Sequence, residues 1–300
     1  MPGENPGIDL DYMAREIHRG GHNMVQTVFA ECGAMYRAGG DVPMRCVGET
    51  EFVQGQRAMS NSGAFGPCEL AAGMFGSVNL RLGHDADAVL AAHVDASPSF
   101  RGIRGAFPDD LNEQWSSGFA ALGKRQLSWE HCVGPAHERL KTIAQLAAAH
   151  PTVTIIIDHL GGRCDPDMSG AAFEEWKQCL AAVAACPNVY LKLGGAQQRM
   201  GDWLPPFHMY NRRTPIGSEE LCDTLFKWYS HAIDVFGPSR CMFESNFPVD
   251  KECCSYRTLW NMFKRVAARK GLSDSEKADL FAGTARRAYR LPRPAAPSKL

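Results

Sequence analysis

The chain has 300 residues, of which 45% are hydrophobic, and a formal net charge of -1 at pH 7. This length can bury a sizeable core, and the balanced charge argues against nucleic acid or another highly charged partner. The N-terminus has no apolar signal region, and no apolar run reaches the roughly 18 residues of a membrane helix, so we expect a cytoplasmic protein without a membrane partner.

Short apolar strands alternate with longer helical stretches along the chain. Strands are predicted at 24–31, 71–80, 100–103, 126–133, 152–158, 189–193 and 241–245. Helices are predicted near 85–96, 137–149, 171–185 and 219–236, and a capping box at Ser273-x-x-Glu276 begins a helix in the C-terminal tail. Repeated strand–helix units predict an α/β fold with parallel strands in a single domain, residues 1–300. Eleven scattered cysteines, none in a C-x-x-C pair, predict reduced thiols.

Polar residues follow several predicted strands, at the ends where parallel barrels assemble their active sites. His159 follows Asp158, Lys192 lies near the end of 189–193, and Glu244, Ser245 and Asn246 follow the strand that begins at residue 241. These groups suggest chemistry at the strand ends. The other candidates are Glu31, Glu49, Glu51, Arg101, Arg104 and His137.

Each candidate also has a structural interpretation. A histidine after a strand can be a hydrogen-bonded structural residue, and Asp158 is interpreted as a helix cap or hydrogen-bond anchor. Arg101 and Arg104 are expected in structural ion pairs, and Glu49 and Glu51 can equally be solvated loop residues.

Six segments together resemble one family. They are 27–32, 47–52, 157–162, 189–195, 236–250 and 281–291. In this order they are similar to the amidohydrolase-related (amidohydrolase 2) TIM barrels, which include lactonases and the aminocarboxymuconate-semialdehyde decarboxylase type. The resemblance extends from about residue 10 to residue 291 and implies a (β/α)8 barrel.

The resemblance also implies a site at the strand tips. The family has a His-x-His pair after the first strand, histidines after the fifth and sixth, and an aspartate after the eighth, commonly with a divalent metal such as zinc. By position, His137 matches the fifth-strand histidine, His159 the sixth, and Asn246 takes the place of the aspartate. No His-x-His occurs, so the first strand is expected to be missing, either because a segment precedes Met1 or because this is a short, open form. With His137 as the single metal-ligand candidate, we expect zinc to be weak or absent.

The function implied is hydrolysis of a small carboxylated or sugar-derived lactone, or a related C–O or C–N bond, by activated water. His159 is the expected general acid/base, or it orients the scissile carbonyl. Because the Asn246 amide takes up no proton near neutral pH, Asp250, Glu244 or His159 must accept one, or a metal-bound water must act without such a base. Arg104 and Lys192 are expected to bind the substrate.

Two alternatives remain open. One is a non-oxidative decarboxylase on the same barrel, and the other is a degenerate barrel that serves as a binding or scaffold protein. In each case we expect a small-molecule ligand, and the chain can be a homo-oligomer.

Overall fold

The structure is a computed structural model that describes residues 10–105, 107, 111–134, 137–162, 164, 170–196 and 213–294. The chain divides into two compact units. The first contains residues 1–130 and 289–300, and the second contains residues 131–288. The single-domain assignment therefore stays a prediction.

The first unit is built from strands that pair in parallel with helices between them. Strand β1 pairs with β2, β2 with β3, and β3 with β4. The elements are α1 (Leu10–Gly20), β1 (Gln26–Ala30), α2 (Val47–Ser60), β2 (Glu69–Gly76), α3 (Ala86–Ala96), β3 (Phe100–Arg104), α4 (Glu113–Lys124) and β4 (Ser128–His131).

The second unit repeats the same construction. Strand β5 pairs in parallel with β6, and β6 with β7. The elements are α5 (Arg139–Ala149), β5 (Ile155–Ile157), α6 (Gly170–Ala184), β6 (Val189–Leu193), α7 (Ser218–Phe236), β7 (Cys241–Phe243), α8 (Tyr256–Arg269), α9 (Asp274–Ala278) and α10 (Thr284–Ala288), with a π-helical turn at Asp279–Gly283. Helix α9 begins at the predicted capping box, in which Ser273 and Glu276 bond reciprocally.

Aromatic side chains fill the core of each unit. In the first, Trp129 of β4 packs edge-on against Phe119 of α4, with ring centroids 5.4 Å apart. In the second, Trp176 of α6 meets Trp228 of α7 at 4.7 Å, and Phe243 of β7 stacks on Phe263 of α8 at 4.5 Å. These contacts anchor the helices against the strands, because large buried aromatic rings contribute much of the apolar area removed from water.

The beginnings of β5 and β6 are joined by one side chain. The Asn188 Nδ2 amide lies 3.1 Å from the Ala147 carbonyl oxygen, 3.2 Å from that of His150 and 3.0 Å from that of Val153. The first carbonyl belongs to the last turn of α5, where it has no partner within the helix, and the other two belong to the segment between α5 and β5. Asn188 thus fixes where both strands start.

The sequence placed all seven strands but missed several helices. The predicted strand at 71–80 ends at Gly76, because Asn79 begins a helical turn by accepting a hydrogen bond from the Arg81 amide. Helices α1, α2, α4 and α8 were not predicted. The solvated-loop interpretation of Glu49 is wrong, since Glu49 lies in α2 and is 1% exposed. Glycines and β-branched residues in α2 weaken the helical signal.

Two further expectations concern bonding and location. All eleven cysteines are free thiols, as predicted. Among the described residues, no helix is long and apolar enough to cross a membrane.

Candidate active site

Three strand ends of the second unit bring four charged side chains together. The His159 Nδ1 atom, after β5, lies 2.7 Å from Oε1 of Glu244, after β7. The Lys192 ammonium, on β6, lies 3.4 Å from Glu244 Oε2 and 3.1 Å from Asp158 Oδ1. We call Asp158, His159, Lys192 and Glu244 the charged cluster. Two acids and two bases meet there, so their charges cancel when all four are ionised.

The turn after β5 aims His159 at its partner. His159 and Leu160 both adopt left-handed backbone conformations, with φ of +53° and +57°. Such conformations cost of order 1–3 kcal/mol each for residues other than glycine. The turn is held by a bond from the Asp158 amide to the His131 carbonyl (2.9 Å) and by Trp176 Nε1, which donates to the Leu160 carbonyl (3.1 Å). Surrounding packing therefore keeps the imidazole in place.

Glycine after β6 is required for the contact between His159 and Glu244. Gly195 has φ of +62°, and a Cβ atom added there would overlap the His159 ring. A Cβ at Gly194 would overlap the backbone of Glu244. The Gly-Gly pair thus lets the chain of β6 pass close beside the charged cluster.

Charge pairing decides the ionisation of the cluster. Burial opposes the charge on His159, but Glu244 and Asp158 raise its pKa above the ordinary value. Burial likewise opposes the charge on Glu244, but Lys192 and His159 lower its pKa. Each group therefore favours the charged form of its neighbour.

Asn246 and Asp250 form a second polar pair after β7. Asn246 Nδ2 donates to Asp250 Oδ1 at 2.8 Å, and the Asp250 amide donates to the Asn246 carbonyl at 3.1 Å. Asp250 is 1% exposed, and burial raises its pKa to about 7 in spite of the Asn246 hydrogen bond. Asn246 has φ of +49°, a conformation that asparagine adopts more readily than most residues.

The strand ends of the first unit are arranged differently. Arg104 Nε donates to Glu31 Oε1 at 2.8 Å, which matches the structural ion pair considered from the sequence. Glu49 Oε1 accepts hydrogen bonds from the amides of Cys32 and Ala34, each at 3.0 Å. The substrate-binding role of Arg104 stays a prediction.

With the geometry established, comparison with known proteins gives the family. A family model described as amidohydrolase matches residues 22–291. The chain belongs to this family. An uncharacterised protein of Sinorhizobium fredii is 30% identical over 83% of this chain and 77% of its own length. An L-fucono-1,5-lactonase of Burkholderia multivorans is 30% identical over 63% of this chain and 60% of its own length.

Solved amidohydrolase structures share the fold. A zinc-bound amidohydrolase from Burkholderia multivorans superposes with a TM-score of 0.70 at 24% identity, over 94% of this chain and 88% of that one. A manganese-bound dihydroxybenzoic acid decarboxylase from Polaromonas superposes with a TM-score of 0.56 at 13% identity, over 94% and 86% of the two chains. The predicted α/β, TIM-barrel class is confirmed.

The divalent metal found in these structures has no matching ligand set among the described residues. Within the ranges that the structure describes, no group of three His, Cys, Asp or Glu side chains could hold a metal ion. His137 is 8% exposed, and its ring lies against Gly162. In the charged cluster, both carboxylates are engaged by Lys192 and His159 is engaged by Glu244. The described residues therefore do not fit the metal, and His137 as a ligand stays a prediction.

The sequence identified members of the charged cluster but not which side chains pair with which. His159, Lys192 and Glu244 were chosen because they lie at the C-terminal ends of predicted strands. Asp158 was interpreted as a cap or hydrogen-bond anchor, whereas its side chain makes no cap hydrogen bond and forms an ion pair with Lys192. The sequence did contain a signal for this pairing. Two acids and two bases lie at the ends of neighbouring strands, and buried charges of opposite sign must pair with one another.

Proposed function

We propose that this amidohydrolase is a hydrolase that opens a small sugar-derived or carboxylated lactone, with His159 donating a proton to the departing ring oxygen. The supporting observation is the 2.7 Å contact between His159 Nδ1 and Glu244 Oε1 at buried strand ends. The lactonases among the relatives suggest the reaction class.

The contact sets the role of each imidazole nitrogen. Glu244 engages Nδ1, so Nε2 is the nitrogen that can exchange a proton with a substrate. Although burial opposes the charge, Glu244 and Asp158 raise the pKa of His159 and so favour the protonated imidazole, and we therefore assign His159 the role of the acid. Positioned acid–base groups typically contribute about 10²- to 10⁴-fold to a rate.

The remaining cluster residues balance and position this acid. Lys192 forms ion pairs with Asp158 and Glu244. Its positive charge also lowers the pKa of His159, which eases release of the His159 proton. We keep Lys192 and Arg104 as proposed contacts for a substrate carboxylate or carbonyl. Arginine suits a carboxylate because its two parallel N–H groups match the two oxygens.

The test is acid release from a panel of 1,4- and 1,5-lactones of sugar acids and of lactones that carry a carboxylate. We expect His159→Ala to lower kcat/KM by at least about 100-fold. His18→Ala is the matched control, because His18 is an exposed histidine of α1. Turnover unaffected by His159→Ala would remove His159 from the mechanism, and no acid release from any lactone would refute the proposed reaction.

Decarboxylation is the second candidate, because decarboxylases share this fold. A protonated His159 could equally deliver a proton to carbon as CO2 departs. Release of CO2 from aromatic carboxylic acids, without acid release from lactones, would favour this candidate. Binding of a small acid with neither reaction would favour a barrel that has lost catalysis, as the neutral Asn246 allows.

A further inference from the structure

A lactone hydrolase needs a second proton-handling group besides His159. The attacking water must lose a proton while the ring oxygen gains one. In the proposed function His159 is the acid that protonates the ring oxygen, so it does not take the first proton, and Glu244 is occupied by His159 and Lys192. Asn246, at the position of the family's aspartate, has an amide that does not titrate in this range.

We infer that Asp250 accepts the proton of the attacking water and that Asn246 is a positioning residue that holds the Asp250 carboxyl for this task. The inference rests on the proposed lactone hydrolysis. It places the acid one turn further along the chain than the family position, on the 3₁₀ turn Val249–Glu252 that follows β7.

The hydrogen bonds of the Asp250 carboxyl support this role. Its Oδ1 atom accepts from Asn246 Nδ2, and the backbone bond between the same two residues closes the turn. Its Oδ2 atom is buried and has no hydrogen-bond partner of normal geometry among the described residues, although the Gly195 backbone amide lies near enough to the carboxyl to favour its charged form. Buried carboxyl oxygens normally have a donor, so Oδ2 is where a water molecule or substrate hydroxyl is expected to bind.

The surroundings of Asp250 tune its charge. Burial raises its pKa to about 7, so both of its protonation states are populated at neutral pH. The titratable groups that act on it come from β5, β7, α7 and its own turn, and they are His159, Glu244, Tyr229, Cys253 and Cys254. His159 favours the carboxylate and Glu244 opposes it. An acid kept protonated and a base poised near neutrality are the combination that acid–base catalysis requires.

The proposed step balances as follows. The water oxygen forms a bond to the lactone carbonyl carbon, one water proton passes to Asp250 Oδ2, and the π electron pair of the carbonyl moves to its oxygen. That pair then re-forms the C=O bond as the ring C–O bond breaks, and the ring oxygen takes the proton from His159 Nε2. The product is a hydroxy acid, which leaves as its carboxylate after losing its proton to solvent. Asp250 returns its proton to His159, which restores both groups.

The proposed role of Asp250 explains why residue 246 is a neutral asparagine. Its amide donates a hydrogen bond to Asp250 and favours the carboxylate form of that residue. A carboxylate at residue 246 would instead face Asp250 at hydrogen-bond distance, and two adjacent carboxylates cannot both ionise readily. Asparagine therefore keeps Asp250 available as a base near pH 7.

The experiment compares Asp250→Asn, Asn246→Asp and the double variant that carries both changes. We expect Asp250→Asn to lower kcat/KM on a hydrolysed lactone at least about 100-fold and to abolish the rise of activity with pH near 7. Asn246→Asp should move that rise upward by about one pH unit or more. The double variant exchanges acid and amide, keeps their hydrogen bond, and should recover part of the activity. Asp95→Asn is the control, because Asp95 is exposed on α3.

A second readout needs no substrate. In carbon-13 NMR titrations, a carboxyl that titrates near pH 7 should be absent from Asp250→Asn and should shift upward in Asn246→Asp. Lactone turnover with unchanged kcat/KM and pH profile in Asp250→Asn would overturn the inference and leave the proposed function standing. A double variant no more active than Asp250→Asn would overturn the positioning role of Asn246. Absence of any lactone turnover would refute the proposed function, and with it the catalytic role of Asp250, whatever the titration shows.

Discussion

The strand ends of the two units handle charge in different ways. In the first unit, Arg104 pairs with the Glu31 carboxylate and also donates to the Glu31 carbonyl, and the two side chains remain 26% and 19% exposed. In the second, Lys192 is shared by two carboxylates, with side-chain exposure of 8% for Lys192, 0% for Asp158 and 15% for Glu244. The first arrangement is one ion pair near water, and the second is a connected set of charges away from it.

This difference indicates where function resides. Removing ions from water carries a large cost, so buried charge networks are weak contributors to stability compared with apolar packing of the same volume. Partly exposed pairs cost little and contribute up to about 1 kcal/mol. A buried charge network that contributes little to stability is expected to serve a function. This argument favours the charged cluster as the functional site.

The largest expected effect is that of removing the shared cation. Lys192→Met should destabilise the protein by about 3–5 kcal/mol, because it removes the cation paired with the buried Asp158 and leaves Glu244 with His159 alone. Arg104→Met is the matched comparison and should cost only about 1 kcal/mol. Urea unfolding followed by circular dichroism measures both. Equal losses in the two variants would mean that burial does not distinguish the two sites.

A backbone substitution tests how tightly the cluster is enclosed. Gly195→Ala should cost about 2–3 kcal/mol, since it combines an unfavourable positive φ with displacement of the His159 ring. Gly271→Ala is the control, because Gly271 has φ of +70° but an added Cβ would meet nothing within 4 Å. The control isolates the backbone cost of about 1–2 kcal/mol. An undisturbed His159 imidazole signal in the NMR spectrum of Gly195→Ala would contradict the close approach.

A smaller effect is expected from breaking the ion pair of His159 and Glu244 across pH. The pKa of His159 is raised, so its contribution is complete below its ordinary value of 6.5 and is lost as the pH rises through the folded value. The pKa of Glu244 is lowered, so its contribution is complete above 4.5 and is lost as the pH falls through the folded value. Glu244→Gln should therefore cost most, about 1–2 kcal/mol, between pH 4.5 and 6.5. A cost that does not vary with pH would show that the pair is not ionised.

The smallest effect is expected from metal removal. Because Lys192 already engages both carboxylates of the cluster, elemental analysis should find little zinc, and a chelator should leave the Tm unchanged. Near-stoichiometric zinc would contradict this expectation.

The sequence was most informative where pattern determines structure. The continuous β-branched run before Asp158 predicted a buried strand, and the alternation of strands and helices predicted the fold class. The helix α2 was missed because its glycines and β-branched residues weaken the helical signal. The burial of Glu49 was missed because its carboxylate accepts hydrogen bonds from amides of another segment, a contact that no periodicity reveals. The candidate site was found through strand ends, because their positions follow from the fold. Its internal pairing depends on strand register and on the left-handed turn at His159, which local propensity does not predict.

The Asn188 amide has a consequence for protein engineering. It ties three carbonyls at the beginnings of β5 and β6, while the charged cluster lies at their opposite ends. The beginnings of these two strands are therefore fixed by contacts that do not involve the charged cluster. Combinatorial libraries that retain Asn188, Gly194, Gly195 and the four cluster residues, and vary other positions at the cluster end, should still yield folded proteins.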